Sequence, residues 1–204
     1  RLKKLISSNK IGKIISVHSE NGSFLPDWHP YENYSKGYAG RVDLGGGAAL
    51  TNIHEIDYLY WLFGNVKEVY SIVRKISNLK IDADDFSLML LQFKNKIIAN
   101  IHLNFFENPP SRYCKIIGNN GIIFCNLLTN EIKIYSSKKK KWTKELKLKK
   151  YDHNDMYIEE IRHFLNCVRT KKMTINSISN SVHSLQIVLN AKKSSKLKKP
   201  ITMK

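Results

Sequence analysis

The sequence predicts an α+β domain, a largely antiparallel mixed sheet with helices packed on one face and the other face free. Three observations carry this. Strand-length apolar stretches follow one another from Val66 to Leu148 with short turns between them, and Asn119-Asn120-Gly121 is the strongest turn signal. Helical spacing appears on either side of that run, at residues 2–9, 48–63, 155–169 and 182–193. The chain has 204 residues and is 42% hydrophobic, long and apolar enough to bury a core.

Residues 2–9 read as a short helix with Leu2, Leu5 and Ile6 on one face, ended by Ile11-Gly12. Residues 13–20 alternate, Ile15 and Val17 against Ser16 and His18, which is a strand. Residues 21–44 hold Pro26, Pro30, Phe24, Trp28, Tyr31, Tyr34 and Tyr38 without a period. A loop this long in a compact domain is functional or hides elements of its own. Its aromatics point to ordered packing, either a plain cover over the sheet or a cover over a site.

Gly45-Gly46-Gly47 follows, a backbone free to turn sharply and to let another group come close. Residues 48–63 read as one helix that stops at Gly64-Asn65. Ala49, Ile53, Ile56, Tyr60 and Phe63 form an apolar stripe, extended by Leu59 and Leu62; Thr51, His54, Tyr58 and Trp61 form a polar and aromatic one. A helix apolar over most of its surface is buried. His54 is then a satisfied core histidine or part of an active-site wall.

Strands follow at 66–76, 86–93 and 97–106, the last two joined by Lys94-Asn95-Lys96. Two hairpins come next, 113–117 with 122–126, and 131–135 with 142–148 around a lysine run. The helix at 155–169 sets Ile158, Ile161, Leu165 and Val168 on one face, with Asp152 or Asn154 as its cap. The helix at 182–193 carries Leu185, Val188 and Leu189, and residues 200–203 form a terminal strand.

The net charge is +17, from 34 Lys+Arg against 17 Asp+Glu. Such a balance raises nucleic acid or an anionic surface as a partner. The excess sits in a run of lysines from Lys138 to Lys150 and in Lys192, Lys193, Lys196, Lys198 and Lys199. These are lysines, where arginine is the residue for bidentate phosphate contacts. Solvated hairpin tips and a helix end are therefore the expected reading, over a nucleic-acid or membrane partner. No apolar stretch approaches the roughly 20 residues that span a bilayer, and no signal peptide is visible. The chain does not begin with Met and reads as a fragment. Cys114, Cys125 and Cys167 lie far apart without metal spacing, as buried free thiols of a reducing cytoplasm do. His18, His29, His54 and His102 have no metal spacing, and His153, His163 and His183 read as surface or capping residues.

The order of features is specific: a helix, Ile11-Gly12-Lys13-Ile14 into a strand, an aromatic loop, a triple glycine, His54-x-x-Asp57 and Trp61-Leu62-Phe63-Gly64. Asn154-Asp155-Met156-Tyr157, His163-Phe164-Leu165 and Ser194-Ser195 before a last strand complete it. This resembles the C-terminal domain of the glucose–fructose oxidoreductase, inositol dehydrogenase and rhizopine-catabolism (Gfo/Idh/MocA) family, over nearly the whole chain. Residues 25–31, Leu-Pro-Asp-Trp-His-Pro-Tyr, look like a subgroup associated with bacterial sugar and surface-polysaccharide metabolism.

The resemblance implies a two-domain NAD(P)-dependent oxidoreductase. Family members bind NAD or NADP in an N-terminal Rossmann domain, which also carries a catalytic lysine in Glu-Lys-Pro. This chain shows neither a G-x-G-x-x-G nor that triplet, and Lys199-Pro200 is not it. Residues 1–204 are then one substrate-binding and oligomerisation domain, inactive alone, with the open sheet face pairing subunits. His54 falls where the family places a histidine that touches the reacting hydroxyl or carbonyl, and an imidazole titrates near neutral pH. Thr51 stands where family members often place an Asp. Asp57 is a substrate contact or a cap of a neighbouring element. Trp28, His29, Tyr31 and Tyr38 can stack on or hydrogen-bond a sugar, and Arg41 can hold an anionic group. The expected substrate is a sugar, nucleotide sugar or polyol. A non-catalytic assembly module is the alternative, and a basic nucleic-acid-binding domain a weaker one.

Overall fold

The chain runs through α1 (Leu2–Ser7), β1 (Ile14–Gly22), α2 (Ala48–Thr51) and α3 (His54–Phe63) into seven consecutive strands. These are β2 (Val66–Arg74), β3 (Phe86–Phe93), β4 (Ile98–Asn104), β5 (Ser111–Gly118), β6 (Gly121–Asn126), β7 (Glu131–Ser136) and β8 (Lys141–Lys147). Helices α4 (His153–Thr170) and α5 (Ile178–Leu197) and the short strand β9 (Ile201–Thr202) follow. The computed structural model describes residues 1–148 and 152–203. Lys149 and Lys150 of the lysine run, and the side chain of His153, lie outside the described residues.

One nine-stranded sheet has the order β8-β7-β6-β5-β1-β4-β3-β2-β9. Neighbours are antiparallel except β1 and β4, which run parallel with Val17 beside Ala99 and Ser19 beside Ile101. The fold is the predicted α+β class. A parallel pair needs a long crossover, and the segment from the aromatic loop through β3 supplies it.

Strand alternation decides which face is covered. Val17, Met89, Leu91, Ala99, Ile101, Cys114 and Ile116 are buried, and they form one core with Ile56, Leu59 and Phe63 of α3 and Ile187, Val188 and Ala191 of α5. Small hydroxyl residues let α5 lie close on β2: Ser71 Oγ donates to the Ala191 carbonyl, and Ser194 Oγ and Ser195 Oγ accept from the N–H groups of Ser71 and Val73. On the opposite face Tyr70, Ile72, Leu88 and Leu90 stay exposed, as the sequence predicts for a free face.

Two local expectations change and one open alternative is resolved. The single helix over 48–63 is two helices, interrupted at Asn52-Ile53. Asn52 is buried, and its side chain accepts from Asn21 Nδ2 of β1 at 3.2 Å, which ties the interruption to the sheet. The helix is also not buried all round. Tyr58 turns inward, but His54 and Trp61 are exposed, because α3 packs only its Glu55-Leu59-Phe63 side and Ile56 against the sheet. Finally, residues 21–44, which by sequence are a functional segment or one with hidden elements, hold three 3₁₀ turns, Leu25–Asp27, Tyr38–Gly40 and Val42–Leu44.

Helix α4 begins at Asp152, whose carboxylate accepts from the Asn154 N–H at 2.8 Å, so Asp152 is the cap. Its stripe of Ile158, Ile161, Leu165 and Val168 remains exposed rather than packed on the sheet. No helix is long and apolar enough to cross a membrane among the described residues.

Cys114 and Cys125 face each other across β5 and β6 as buried free thiols, and Cys167 is buried and free as well. Burial pushes the first two up to about 12 and about 11, so they stay protonated.

Candidate functional site

The aromatic segment and the triple glycine lie at the end of the sheet where β1 and β4 finish and β3 starts. Leu25 N–H bonds the Phe105 carbonyl at 2.9 Å, and Phe105 N–H bonds the Asp85 carbonyl at 3.0 Å. Asp82 N–H bonds the Gly40 carbonyl at 3.2 Å, and Val42 N–H bonds Asp82 Oδ1 at 2.9 Å. The aromatic segment is thus stitched to the β2–β3 and β4–β5 connections, which is why it is ordered without a sequence period.

The triple glycine is the clamp of this block. Gly46 N–H bonds the Arg41 carbonyl at 2.8 Å and Gly47 N–H the Ala39 carbonyl at 2.9 Å. Ala48 N–H bonds the Asp84 carbonyl at 2.7 Å, and Ala49 N–H bonds Asp84 Oδ2 at 3.0 Å. Asp84 Oδ1 also receives Lys192 Nζ of α5 at 2.6 Å. The group that comes close to the glycines is therefore the chain's own backbone. A Cβ on Gly46 would lie 2.1 Å from the Tyr38 carbonyl oxygen and 2.6 Å from that of Ala39. Gly46→Ala is expected to cost about 2 kcal/mol or more, because backbone atoms cannot rotate away. Thermal unfolding measures the loss, and Trp28 emission should report a loosened segment.

His54 is the first residue of α3 and is exposed. Directly behind it, Glu55 is fully buried (0%). Its carboxylate receives Arg112 Nε of β5 at 2.7 Å, Ser19 Oγ at 3.2 Å and Asn21 Nδ2 at 3.4 Å. Tyr58 OH and Ser19 Oγ are 2.6 Å apart. Burial, with Cys114 and Glu55 nearby, raises the Tyr58 phenol well above its ordinary value, so it stays neutral. This network anchors the start of α3 to β1 and β5 and sets the direction of His54. Sequence reasoning missed it. A signal was present: Glu55 falls in the same helical row as Leu59 and Phe63, a carboxylate at a core position.

The remaining predicted residues separate into groups. Trp28, His29 and Tyr38 line one cavity of about 260 Å³ with Glu32 and Tyr34. Trp28 is fixed by its Nε1 donating to Ser23 Oγ at 2.8 Å and by an edge contact with Phe105. Tyr31 lies outside this lining, largely exposed, with its hydroxyl 3.1 Å from His29 Nδ1. Arg41 lines a different cavity of about 470 Å³ with Ser35, Lys36, Lys80 and Asp82. Its guanidinium is engaged by Asp43, which holds the Asp43 carboxyl below its usual range. Asp57 accepts from Ser184 Oγ at 2.7 Å, tying α3 to α5, and also borders a cavity of about 500 Å³ beside Tyr58, Tyr60 and Trp61. Thr51 Oγ1 is buried with no hydrogen-bond partner among the described residues.

Two of the four histidines without metal spacing, His18 and His102, meet on the open sheet face around Glu20, at 3.4 and 3.9 Å. No metal-holding cluster occurs among the described residues. Partial burial pushes the Glu20 carboxyl up, but bonds from Tyr113 (2.8 Å) and Ser111 (3.1 Å), with His102 and His18 nearby, outweigh it and leave it below its ordinary value. Burial and Glu20 in turn hold the Tyr113 phenol up to about 12, so Tyr113 is the donor. A lowered folded value means that the stabilisation is present above the ordinary carboxylate range and is lost as pH falls through the folded value. Tyr113→Phe should therefore cost about 1 kcal/mol near neutral pH, and the gap to wild type should close on acidification. Thermal unfolding followed down the acid limb checks the sign.

Comparison with known proteins bears on this arrangement. The family model described as "Oxidoreductase family, C-terminal alpha/beta domain" matches residues 3–203. Levoglucosan dehydrogenase, solved in complex with NADH, superposes with a TM-score of 0.86 at 15% identity, covering 99% of this chain and 62% of that one. An NAD binding oxidoreductase from Klebsiella pneumoniae gives a TM-score of 0.83 at 11% identity, with 98% and 61% covered. The WlbA dehydrogenase from Bordetella pertussis, in complex with NADH and UDP-GlcNAcA, gives 0.75 at 19%, with 100% and 59% covered. The chain thus spans about three fifths of the length of these structures. No curated protein matches its sequence significantly. With the family pattern matched across almost every residue, this chain belongs to the Gfo/Idh/MocA oxidoreductase family and carries its C-terminal α/β domain.

Proposed function

We propose that the chain is the substrate-binding and subunit-pairing part of an NAD(P)-dependent oxidoreductase that acts on a sugar, nucleotide sugar or polyol. The observation that carries this reading is the cavity lined by Trp28, His29, Tyr34, Tyr38 and Glu32 at the glycine-clamped end of the sheet. Aromatic faces suit the apolar faces of sugar rings, and a carboxylate with phenols and an imidazole supplies hydroxyl partners. Levoglucosan dehydrogenase has also been solved with NADH and levoglucosan, and with NADH and L-sorbose. In this reading His54 takes or holds the proton of the reacting oxygen. Thr51 ends the preceding helix α2 and Asp57 lies within α3, one turn after His54; in this reading they, Tyr31 and Arg41 are outer contacts of the substrate.

The glycine turn does not fit a dinucleotide. The N–H groups of Gly46, Gly47, Ala48 and Ala49 are all bonded within the chain, and the Asp84 carboxylate occupies the space a pyrophosphate would need. In this reading the nicotinamide cofactor is held mainly by protein outside this chain. Nicotinamide reduction by the full-length protein over a panel of sugars, polyols and nucleotide sugars tests the reading. Turnover that depends on the aromatic cavity supports it, and inertness towards the whole panel removes it.

Pairing through the open face rests on its exposed Tyr70, Ile72, Leu88 and Leu90, neighbours in register across β2 and β3. Leu90→Lys should shift the sedimenting species to a smaller one, and an unchanged species would move the interface elsewhere. A non-catalytic assembly module is the second reading. It is favoured by Thr51 standing where family members often place an Asp and by Arg41 being engaged by Asp43.

A further inference from the structure

The two ends of the sheet differ in charge. At the end where β1 and β4 start, the connections carry Lys10, Lys13, Lys94, Lys96 and Lys138–140, with no Asp or Glu in residues 8–13, 94–97, 119–120 or 137–140. The opposite end carries Asp82, Asp84, Asp85 and Glu107.

Part of the basic end is a single platform. Asn119 N–H bonds the Lys13 carbonyl at 3.0 Å, Asn120 N–H the Ile11 carbonyl at 2.9 Å, and Ser137 N–H the Asn120 carbonyl at 3.0 Å. The β7–β8 hairpin tip is thereby fixed beside the start of β1. Lys13 and Lys138 to Lys141 are exposed and have no ion-pair partner among the described residues. The carboxylates of the same hairpin are held elsewhere, Glu131 by Lys133 and Lys144, and Glu145 by Arg1 and Lys10. Next to the tip Trp142 is 50% exposed and leans on Tyr135, ring centroids 5.4 Å apart.

We propose that this hairpin tip docks on the headgroup surface of an anionic phospholipid bilayer. Compact, hydrated ammonium groups match a diffuse layer of negative charge. The platform carries no arginine for bidentate contacts to phosphate or guanine, and no helix is presented to a groove, so a nucleic acid fits it less well. An exposed indole beside the lysines suits the headgroup level of a bilayer. Attachment of this kind is peripheral and reversible, and needs no spanning segment. The expectation of merely solvated lysines changes because the fold sets Lys13 and Lys138 to Lys141, without ion-pair partners among the described residues, on one surface beside an exposed indole.

Vesicle co-sedimentation of the full-length protein is the test, with phosphatidylcholine vesicles with and without phosphatidylglycerol. Binding should require the anionic lipid and weaken as salt rises. The triple variant Lys138→Gln, Lys139→Gln, Lys140→Gln should lower affinity on the order of a hundredfold, about fivefold per lysine, with thermal unfolding unchanged. Trp142→Phe should abolish the blue shift of emission on binding. No binding to anionic vesicles, equal binding to neutral ones, or undiminished binding by the triple variant overturns the proposal. Displacement from vesicles by duplex DNA at equal charge overturns it in favour of a nucleic-acid surface.

Discussion

Replacing His54 with alanine in the full-length protein is expected to lower turnover by about 10²–10⁴-fold, the usual contribution of a positioned acid–base group. The side chain is exposed, so its removal should change stability by only a few tenths of a kcal/mol. Those two results together separate chemistry from architecture. The loss should fall mainly on kcat, since a group that handles the proton acts in the transition state more than in binding. The assembly should sediment unchanged, because His54 lies on α3, away from the open sheet face. Turnover equal to wild type would take the catalytic role away from His54. A protein with no turnover before the substitution would bring the assembly-module reading forward.

Arg112→Met should destabilise the protein by about 3 kcal/mol, because it leaves the carboxylate of Glu55 buried without its counter-charge. Glu55 is 0% exposed and the Arg112 side chain 36%, so the Arg end is partly solvated and the cost falls mainly on Glu55. For a chain of this size the melting temperature should drop on the order of 10 °C. The double variant Glu55→Leu with Arg112→Met should recover much of the loss, since replacing both partners removes the unpaired charge. Ser19 keeps Tyr58 and Asn21 keeps Asn52 as partners in that variant. A double variant no more stable than Arg112→Met would mean that the pair holds α3 in place rather than merely satisfying a charge. Turnover should follow the same pattern, because the network sets where α3 begins and therefore where His54 points.

The strands were legible because each alternates over a short length and ends at a turn residue. β3 has the predicted bounds, and the hairpin around Asn119-Asn120-Gly121 forms as the turn chemistry requires. The parallel pairing of β1 with β4 was not legible, since Val17 and Ala99 are joined by sheet register, which no local pattern encodes. The helix break at Asn52 was not legible either: Asn52 is buried there against Asn21, 31 residues earlier in the chain. The 3₁₀ turns of the aromatic segment depend on the β2–β3 and β4–β5 connections for their hydrogen bonds, so they have no period of their own to read.

Of the candidate site, residue chemistry was readable and grouping was not. Trp28, His29 and Tyr38 share a cavity, whereas Arg41 and Asp57 border others. The aromatic content of residues 21–44 announced a packed segment, but only close approach of Gly46 to the carbonyls of Tyr38 and Ala39 shows what packs it.

By itself, the sequence determined the α+β class, the strand-rich centre, the free sheet face and the glycine–histidine–aspartate block that marks the family, because alternation, turn residues and motif spacing are local properties. Only the tertiary structure decided that the triple glycine clamps its own backbone, that Glu55 and Arg112 hold the helix of His54, and that the Lys138–Lys140 hairpin tip lies beside Lys13 at the start of β1. Those are matters of which distant segments touch, and burial, charge compensation and close approach act between residues that the chain keeps far apart.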